Sequence, residues 1–379
     1  MSSTDSRPDP AGRVTTVEIF FDVVFVFTIT QLTRVLEDDL TWAGFGRIVL
    51  ILGVLWYAYT GYAWLTNQLP PRRPAQKITL FAGMAGFLLT SVAIPAAFTD
   101  TALLFALGYL VLVGIHLIMF SLSAARATTI RVAPYNLAAV LLIGLAAFVT
   151  GPTTYALWFA AALVQAALPY VTPRFSWIRA AGSYQVAAEH LVERHGLLVI
   201  VALGESVVAI GAGVDIHHIT AATVTAIVMG LALPAALWWT YFTDTRVAAP
   251  TLDVADPRTR TRLAARTYVL PHYLLLLGVV ATATGIHAAI AHPDRPAGTA
   301  AALALAGGVA LFLAGTSSVR LALRLGLPSS RVAGAFAVFA TVPLGIATNA
   351  HTQLAAVIVV LIATLLVGPR HPSRRAATA

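Results

Sequence analysis

The chain has no cysteine and one lysine, Lys77, and its charged residues make up only 11% of 379 positions. Without cysteine there is no disulfide, no thiolate metal site and no cysteine nucleophile. A soluble domain carries about a quarter charged residues, so a water-facing surface cannot be covered with this set. The runs also lack the period-two alternation of barrel strands. No Ser-His-Asp order, nucleotide-binding loop or metal framework stands out, and no cofactor is called for. The stretch before Val17 is polar, with Pro8 and Pro10, and reads as a short disordered tail rather than a cleavable signal.

What is present is apolar length. Hydrophobic residues make up 58% of the chain, and a membrane-spanning helix needs about twenty of them in a run. Twelve runs qualify: 17–35, 48–69, 78–98, 103–122, 132–149, 155–171, 196–214, 221–242, 268–289, 299–323, 332–349 and 352–368. The fold class expected is all-α, a polytopic membrane protein of about twelve transmembrane helices arranged as two six-helix repeats. Its parts would be a cytoplasmic tail (1–16), a first repeat (17–171), a charged cytoplasmic linker (172–195), a second repeat (196–368) and a second tail (369–379).

Short cytoplasmic loops collect Lys and Arg. With the N-terminus inside, all but Arg34, Arg47 and Arg295 of the 24 basic residues fall on the cytoplasmic side. The expectation is a multi-pass protein of the plasma (inner) membrane with both termini cytoplasmic. The net charge of +8 then needs no nucleic-acid partner, because the arginines are scattered over short loops. Membrane lipid and a small solute or ion are the partners expected, and association of two copies is left open. Duplication is suggested by spacing: Asp22 precedes Trp56 by 34 residues, and Glu205 precedes Trp239 by the same 34. Six spans per half would relate the halves by an axis along the membrane normal.

Carboxylates inside spans are costly, roughly 2.5 to 3.5 kcal/mol at a helix centre. Only Glu18, Asp22 and Glu205 are so placed. Glu18 and Asp22 share one helical face, and as like charges they resist joint ionisation. Either Glu18 caps the helix start at headgroup level, or the pair is a proton site. Glu205 is expected near mid-bilayer, about 15 Å from the start of its span. It is flanked by Gly204, Ser206 and Ala209, so it fits either a proton or cation site or an interhelical hydrogen bond. His116, His272 and His287 lie within spans as interior groups or relays. Glu189, His190, Glu193, Arg194 and His195 form a dense run whose best reading is a charge-paired cytoplasmic gate, with no second Glu-x-x-His to make a di-metal site.

The segments Val17-Glu18-Ile19-Phe20-Phe21-Asp22, Trp56 to Asn67, His190-Leu191-x-Glu193-Arg194-x-Gly196-Leu197 and Leu203-Gly204-Glu205-Ser206 resemble the bacterial low-temperature-requirement A family of membrane proteins. The likeness runs from about Glu18 to Val367. It marks Glu18, Phe21, Asp22, Trp56, Asn67, His190, Glu193, Arg194, Gly204, Glu205, Trp239 and His272 as positions matching family motifs. His195 stands where the resemblance implies an apolar or aromatic residue. The family name, a cold-growth phenotype, implies no substrate. The function expected is transport of a small solute or ion with Asp22 and Glu205 as proton or cation sites. The alternatives are an intramembrane enzyme acting on a lipid or isoprenoid through His190, Glu193 and Arg194, and a sensor or scaffold.

Overall fold

A computed structural model describes residues 13–122, 126–171, 186–245 and 247–367. Residues 1–12 and 369–379 of the expected tails, and 172–185 of the expected linker, lie outside them. The described residues form helices and no strand: α1 (Thr16–Asp38), α2 (Trp42–Gln68), α3 (Pro74–Ala93), α4 (Ala102–Ser121), α5 (Arg126–Ala146), α6 (Pro152–Val171), α7 (Ala188–Gly213), α8 (Ala221–Thr245), α9 (Ala248–Asp253), α10 (Pro257–Tyr268), α11 (Leu270–Ala291), α12 (Thr299–Ala322), α13 (Ser329–Phe339), α14 (Val342–Ala347) and α15 (Ala350–Val367). Ten segments are long and apolar enough to cross a bilayer, and α5 adds a shorter apolar stretch, Val132–Ala146.

The distribution of polarity is that of a lipid-facing bundle. Leu88, Leu107, Leu141, Phe159, Val228 and Val359 point outward, while Glu18, Asp22, Arg194, Glu205, Asp244 and Arg320 are buried. In water the reverse would be favoured; in hydrocarbon, charge must be satisfied inside the protein.

Side-chain bonds between helices fix the relative direction of several of them. Arg194, early in α7, reaches Glu18 early in α1 and Thr66 late in α2. Late in α11, His287 meets Glu37 late in α1. Gln353, early in α15, donates to the Ala302 carbonyl early in α12. The starts of α1 and α7 therefore meet the end of α2, the ends of α1 and α11 meet each other, and α12 and α15 share a starting end. Neighbours also recur in order. In the first half α1 packs on α2 and α3, α3 on α4, α4 on α5, α5 on α6, and α2 on α6. In the second, α7 packs on α8 and α11, α11 on α12, α12 on α13, α13 on α15, and α8 on α15.

The α11–α12 contact depends on glycine. A Cβ at Gly278 would stand 2.6 Å from the Gly308 carbonyl oxygen and 2.7 Å from the Phe312 nitrogen, both backbone atoms that cannot turn aside. Gly308 meets the backbone of Thr282 equally closely, whereas the adjacent Gly307 has nothing within 4 Å. Small residues let membrane helices approach in this way. Gly308→Ala is expected to lower stability in detergent by about 1–3 kcal/mol through overpacking, and Gly307→Ala to leave the thermal midpoint nearly unchanged. Equal midpoints for the two variants would remove the close-contact explanation.

The ninth expected span, 268–289, is extended by a helix not anticipated. The α10 helix carries Arg258, Arg260, Arg262 and Arg266, is capped by Asp256 through the backbone N–H groups of Arg258 and Thr259, and meets α11 at a break at Val269. Hydrogen bonds from Thr259 hold the Asp256 carboxyl below the usual range. Pro271 has no N–H to give the carbonyl of Thr267 four residues earlier. His272 supplies the missing donor, its Nδ1 lying 3.1 Å from the Thr267 carbonyl oxygen.

Candidate functional site

The first turns of α1 and α7 form a buried charge lock. Glu18 and His190 are each the third residue of their helix, and Asp22 and Arg194 each the seventh. Glu18 Oε1 lies 3.1 Å from both His190 Nε2 and Arg194 Nη1, and Arg194 Nη2 donates to Asp22 Oδ1 at 3.2 Å. Glu18, Asp22 and Arg194 are fully buried. Arg194 also donates to Thr66 Oγ1 and lies 5.6 Å over the rings of Phe21 and Tyr59, where aromatic faces favour a cation. Tyr59 donates to Asp22 Oδ1 at 2.8 Å. Asp22 Oδ2 has no hydrogen-bond partner among the described residues, so an acceptor remains on a carboxylate that is otherwise fixed.

Glu18 caps its own helix and also faces the lock. Its Oε2 accepts from the Thr15 backbone N–H at 2.9 Å, capping α1, while Oε1 faces Arg194 and His190. Asn67 orients the histidine. Its amide accepts from Ala187 N and donates to Ala187 O, at 3.1 and 2.9 Å, which settles which end is NH2. That NH2 lies 3.2 Å from His190 Nδ1, so Nδ1 accepts and Nε2 carries the proton toward Glu18.

A cluster of histidines and tyrosines adjoins the lock. The Trp56 indole stacks on Tyr59 at 5.3 Å and donates to the Val269 carbonyl at the α10–α11 break, 2.8 Å away. His195, fully buried, lies 4.4 Å from the Tyr268 ring and 5.0 Å from that of His272. His272 gives its Nδ1 proton to Thr267, so Nε2 accepts from the Tyr241 hydroxyl at 2.9 Å. His195 Nδ1 bonds to the Leu191 carbonyl at 2.8 Å, leaving Nε2, like the hydroxyls of Tyr268 and Thr267, without a hydrogen-bond partner among the described residues.

Glu205 stands apart from the lock. Because α7 begins at Ala188 rather than at residue 196, Glu205 lies about 26 Å along the helix instead of the expected 15 Å. It therefore lies about two thirds of the way along α7, past the middle of the helix. Thr30 Oγ1 donates to Glu205 Oε2 at 2.6 Å, and beyond it His287 Nδ1 meets Glu37 Oε1 at 2.7 Å in a half-exposed pair. Asp22 and Glu205 thus occupy two levels of one α1–α7 seam. The 34-residue spacing does not give like environments: Trp56 is 1% exposed and Trp239 is 61% exposed on the outer face of α8. Glu193 is exposed and accepts from Val14 N. His190 and Arg194 are buried helix residues, not linker residues.

Sequence reasoning passed over Tyr59, Thr66 and a second charge cluster. Asp244, at the end of α8, lies 2.6 Å from both Arg320 of α12 and Arg331 of α13. All three are buried, although Asp244 and Arg331 lie just outside the expected spans and Arg320 near the end of one. The available signal was helical phase: Trp56, Tyr59, Ala63 and Thr66 share one face of α2. Among the described residues no group of three or more His, Asp or Glu side chains converges to hold a metal.

A profile of the bacterial low temperature requirement A protein family matches residues 13–366. An uncharacterized protein of Rhizobium meliloti (strain 1021) is 31% identical over 382 aligned positions, covering 95% of this chain and 90% of the relative. No solved structure matches. With nearly its whole length matched by the family profile, the chain belongs to the bacterial low temperature requirement A family of multi-pass membrane proteins.

Proposed function

We propose that this protein is a twelve-span carrier of a small solute or ion in the plasma membrane, coupled to proton binding, with its arginine-rich end in the cytoplasm. The observation that carries the reading is a polar stripe on α1. Glu18, Asp22, Thr30, Thr33 and Glu37 fall on one helical face, interrupted by Val26. The stripe meets ionisable partners on α7 and α11 at both ends of the bundle. A carboxylic acid buried in a membrane is expensive to keep, and two at separate levels of one seam suit a path more than a single structural contact.

In this reading the Glu18–Arg194–Asp22 lock closes the cytoplasmic end, and the half-exposed Glu37–His287 pair leads from outside to Glu205. The lock opens by moving protons rather than bare charge: protonation of Asp22 at its free oxygen would weaken its hold on Arg194. Two halves of six spans fit the recurring order of helix neighbours and the glycine-tight pairs α3–α4 and α11–α12. Positive-inside bias supports the orientation.

The test is proton movement in liposomes loaded with a pH-sensitive dye and challenged with panels of ions and metabolites. Asp22→Asn and Glu205→Gln are each expected to reduce substrate-dependent proton flux at least tenfold while expression and the detergent melting midpoint stay near wild type. The amides keep shape and hydrogen bonding but cannot exchange a proton. If the groups only tie helices together, the changes should be mild, since membrane hydrogen bonds average about 0.6 kcal/mol. Wild-type flux in both variants across a range of pH would retire the proton-site assignment.

A further inference from the structure

The four arginines of α10 divide into one that is tied down and three that are not. Arg260 folds back onto the turn before its helix, donating to the carbonyls of Leu252 at 3.0 Å, Asp253 at 2.7 Å and Ala255 at 3.3 Å, with the Asp253 carboxylate 4.0 Å away. Arg258, Arg262 and Arg266 recur every four residues, which sets them in one stripe along about 12 Å of helix, and all three are exposed. Among the described residues no carboxylate pairs with any of them. Asp256, two residues before the stripe, is turned to the backbone N–H groups of Arg258 and Thr259 as the cap of α10. The helix cannot roll to hide the stripe, because Thr261, Ala264, Ala265, Thr267 and Tyr268 are buried on its other side, where it packs on α9, α11 and α12. The Tyr268 ring, 4.4 Å from that of His195, places this end of α10 beside the lock. After Arg266 the next exposed residue is Leu270, 64% exposed at the first position of α11. The outward surface therefore passes from three guanidinium groups to an apolar side chain just where a membrane-spanning helix begins.

We propose that the α10 stripe is a docking surface for an anionic phospholipid, best one with two phosphodiesters, in the leaflet at the lock end of the bundle. Charge complementarity picks the partner: a guanidinium fork matches phosphate oxygens two at a time, and basic clusters immediately outside a membrane helix attract anionic headgroups. Neighbouring arginines of the stripe stand about 6 Å apart along the axis, so two of them can flank one phosphate while the third reaches a second. Leu270 selects a lipid over a soluble polyanion, since the phosphates sit on the stripe while an acyl chain runs beside α11. A positive-inside bias needs only charge in this loop; it does not call for an ordered stripe with the nearby carboxylates turned elsewhere. The proposal does not rest on transport along the α1–α7 seam.

Titration of the full chain in detergent with defined phospholipids, read by native mass spectrometry, tests it. Cardiolipin, a two-phosphate lipid, is expected to bind at least tenfold more tightly than phosphatidylcholine, with phosphatidylglycerol between them. In a triple variant with Arg258→Gln, Arg262→Gln and Arg266→Gln the cardiolipin affinity should fall at least tenfold, while phosphatidylcholine binding and the melting midpoint without added lipid stay unchanged. The single change Arg262→Gln, at the middle of the stripe, should already lower it at least threefold. A control of equal charge loss at other exposed positions, Arg72→Gln, Arg73→Gln and Lys77→Gln, should alter it less than twofold. An equal fall in that control would reduce the effect to net charge and overturn the site. So would tight cardiolipin binding that survives the α10 triple variant, and so would displacement of the lipid by excess inorganic phosphate, which would mark a free-phosphate site instead.

Discussion

Arg194→Ala is expected to lower stability by about 3–5 kcal/mol, because removing one partner of a buried ion cluster leaves the others uncompensated. Arg194 is the shared donor of Glu18, Asp22 and Thr66, and without it two carboxylates four residues apart would remain fully buried. The effect should appear as a large fall in the detergent melting midpoint and in yield. Neutralising the partners should recover most of the loss, so a triple variant with Glu18→Gln and Asp22→Asn is expected to be far more stable than Arg194→Ala alone. A mild effect of the single change would mean that the seam is well hydrated, and the proposed closed lock would have to be given up. Lys is a poor substitute, since one ammonium cannot reproduce the fork that reaches both carboxylates.

The second large effect is expected at Asp244. Its two oxygens separate Arg320 and Arg331, each 2.6 Å away, and those arginines also hold backbone carbonyls: Leu325 by Arg320, and Thr240 and Thr316 by Arg331. Asp244→Ala would leave two buried guanidinium groups facing each other at the junction of α8, α12 and α13, at a cost of about 3–5 kcal/mol. Arg262→Ala, a change at an exposed position on α10, should stay within about 0.5 kcal/mol. Thermal unfolding of both variants in one detergent decides the matter. Comparable losses would show that the cluster is solvated and contributes no more than a surface arginine.

The two clusters show why the site was only partly legible in the sequence. Asp22 and Glu18 stood out because a carboxylate within an apolar run is unusual wherever its partner is. Arg194 and His190 were visible as a charged run, but the end of the span was set eight residues too late, so they read as a loop. That boundary also shortened the expected distance from the helix start to Glu205. Asp244, Arg320 and Arg331 lay where apolar runs fade, and charge at such places usually meets headgroups and water. His195 departed from the pattern its resemblance implied, yet it is buried among Trp56, Tyr268 and His272. Trp239, aligned with Trp56 by spacing, turns outward because spacing along a chain carries no information about helix rotation against neighbours.

The membrane class, the helical class and the division of arginines between two ends were determined by the sequence alone. Hydropathy and loop charge are one-dimensional properties: a run of apolar residues seeks hydrocarbon whatever surrounds it, and a short arginine loop resists translocation span by span. Only the tertiary structure decided that Asp22 meets Arg194 and Tyr59 rather than a partner near Glu205, that Pro271 breaks the ninth span so that His272 bonds to Thr267, and that Glu205 sits past the middle of α7. Each depends on the relative rotation, depth and separation of two helices. At the consecutive pairs α3–α4 and α11–α12 glycines set the separation, since an added Cβ would stand within 3 Å of the neighbouring backbone.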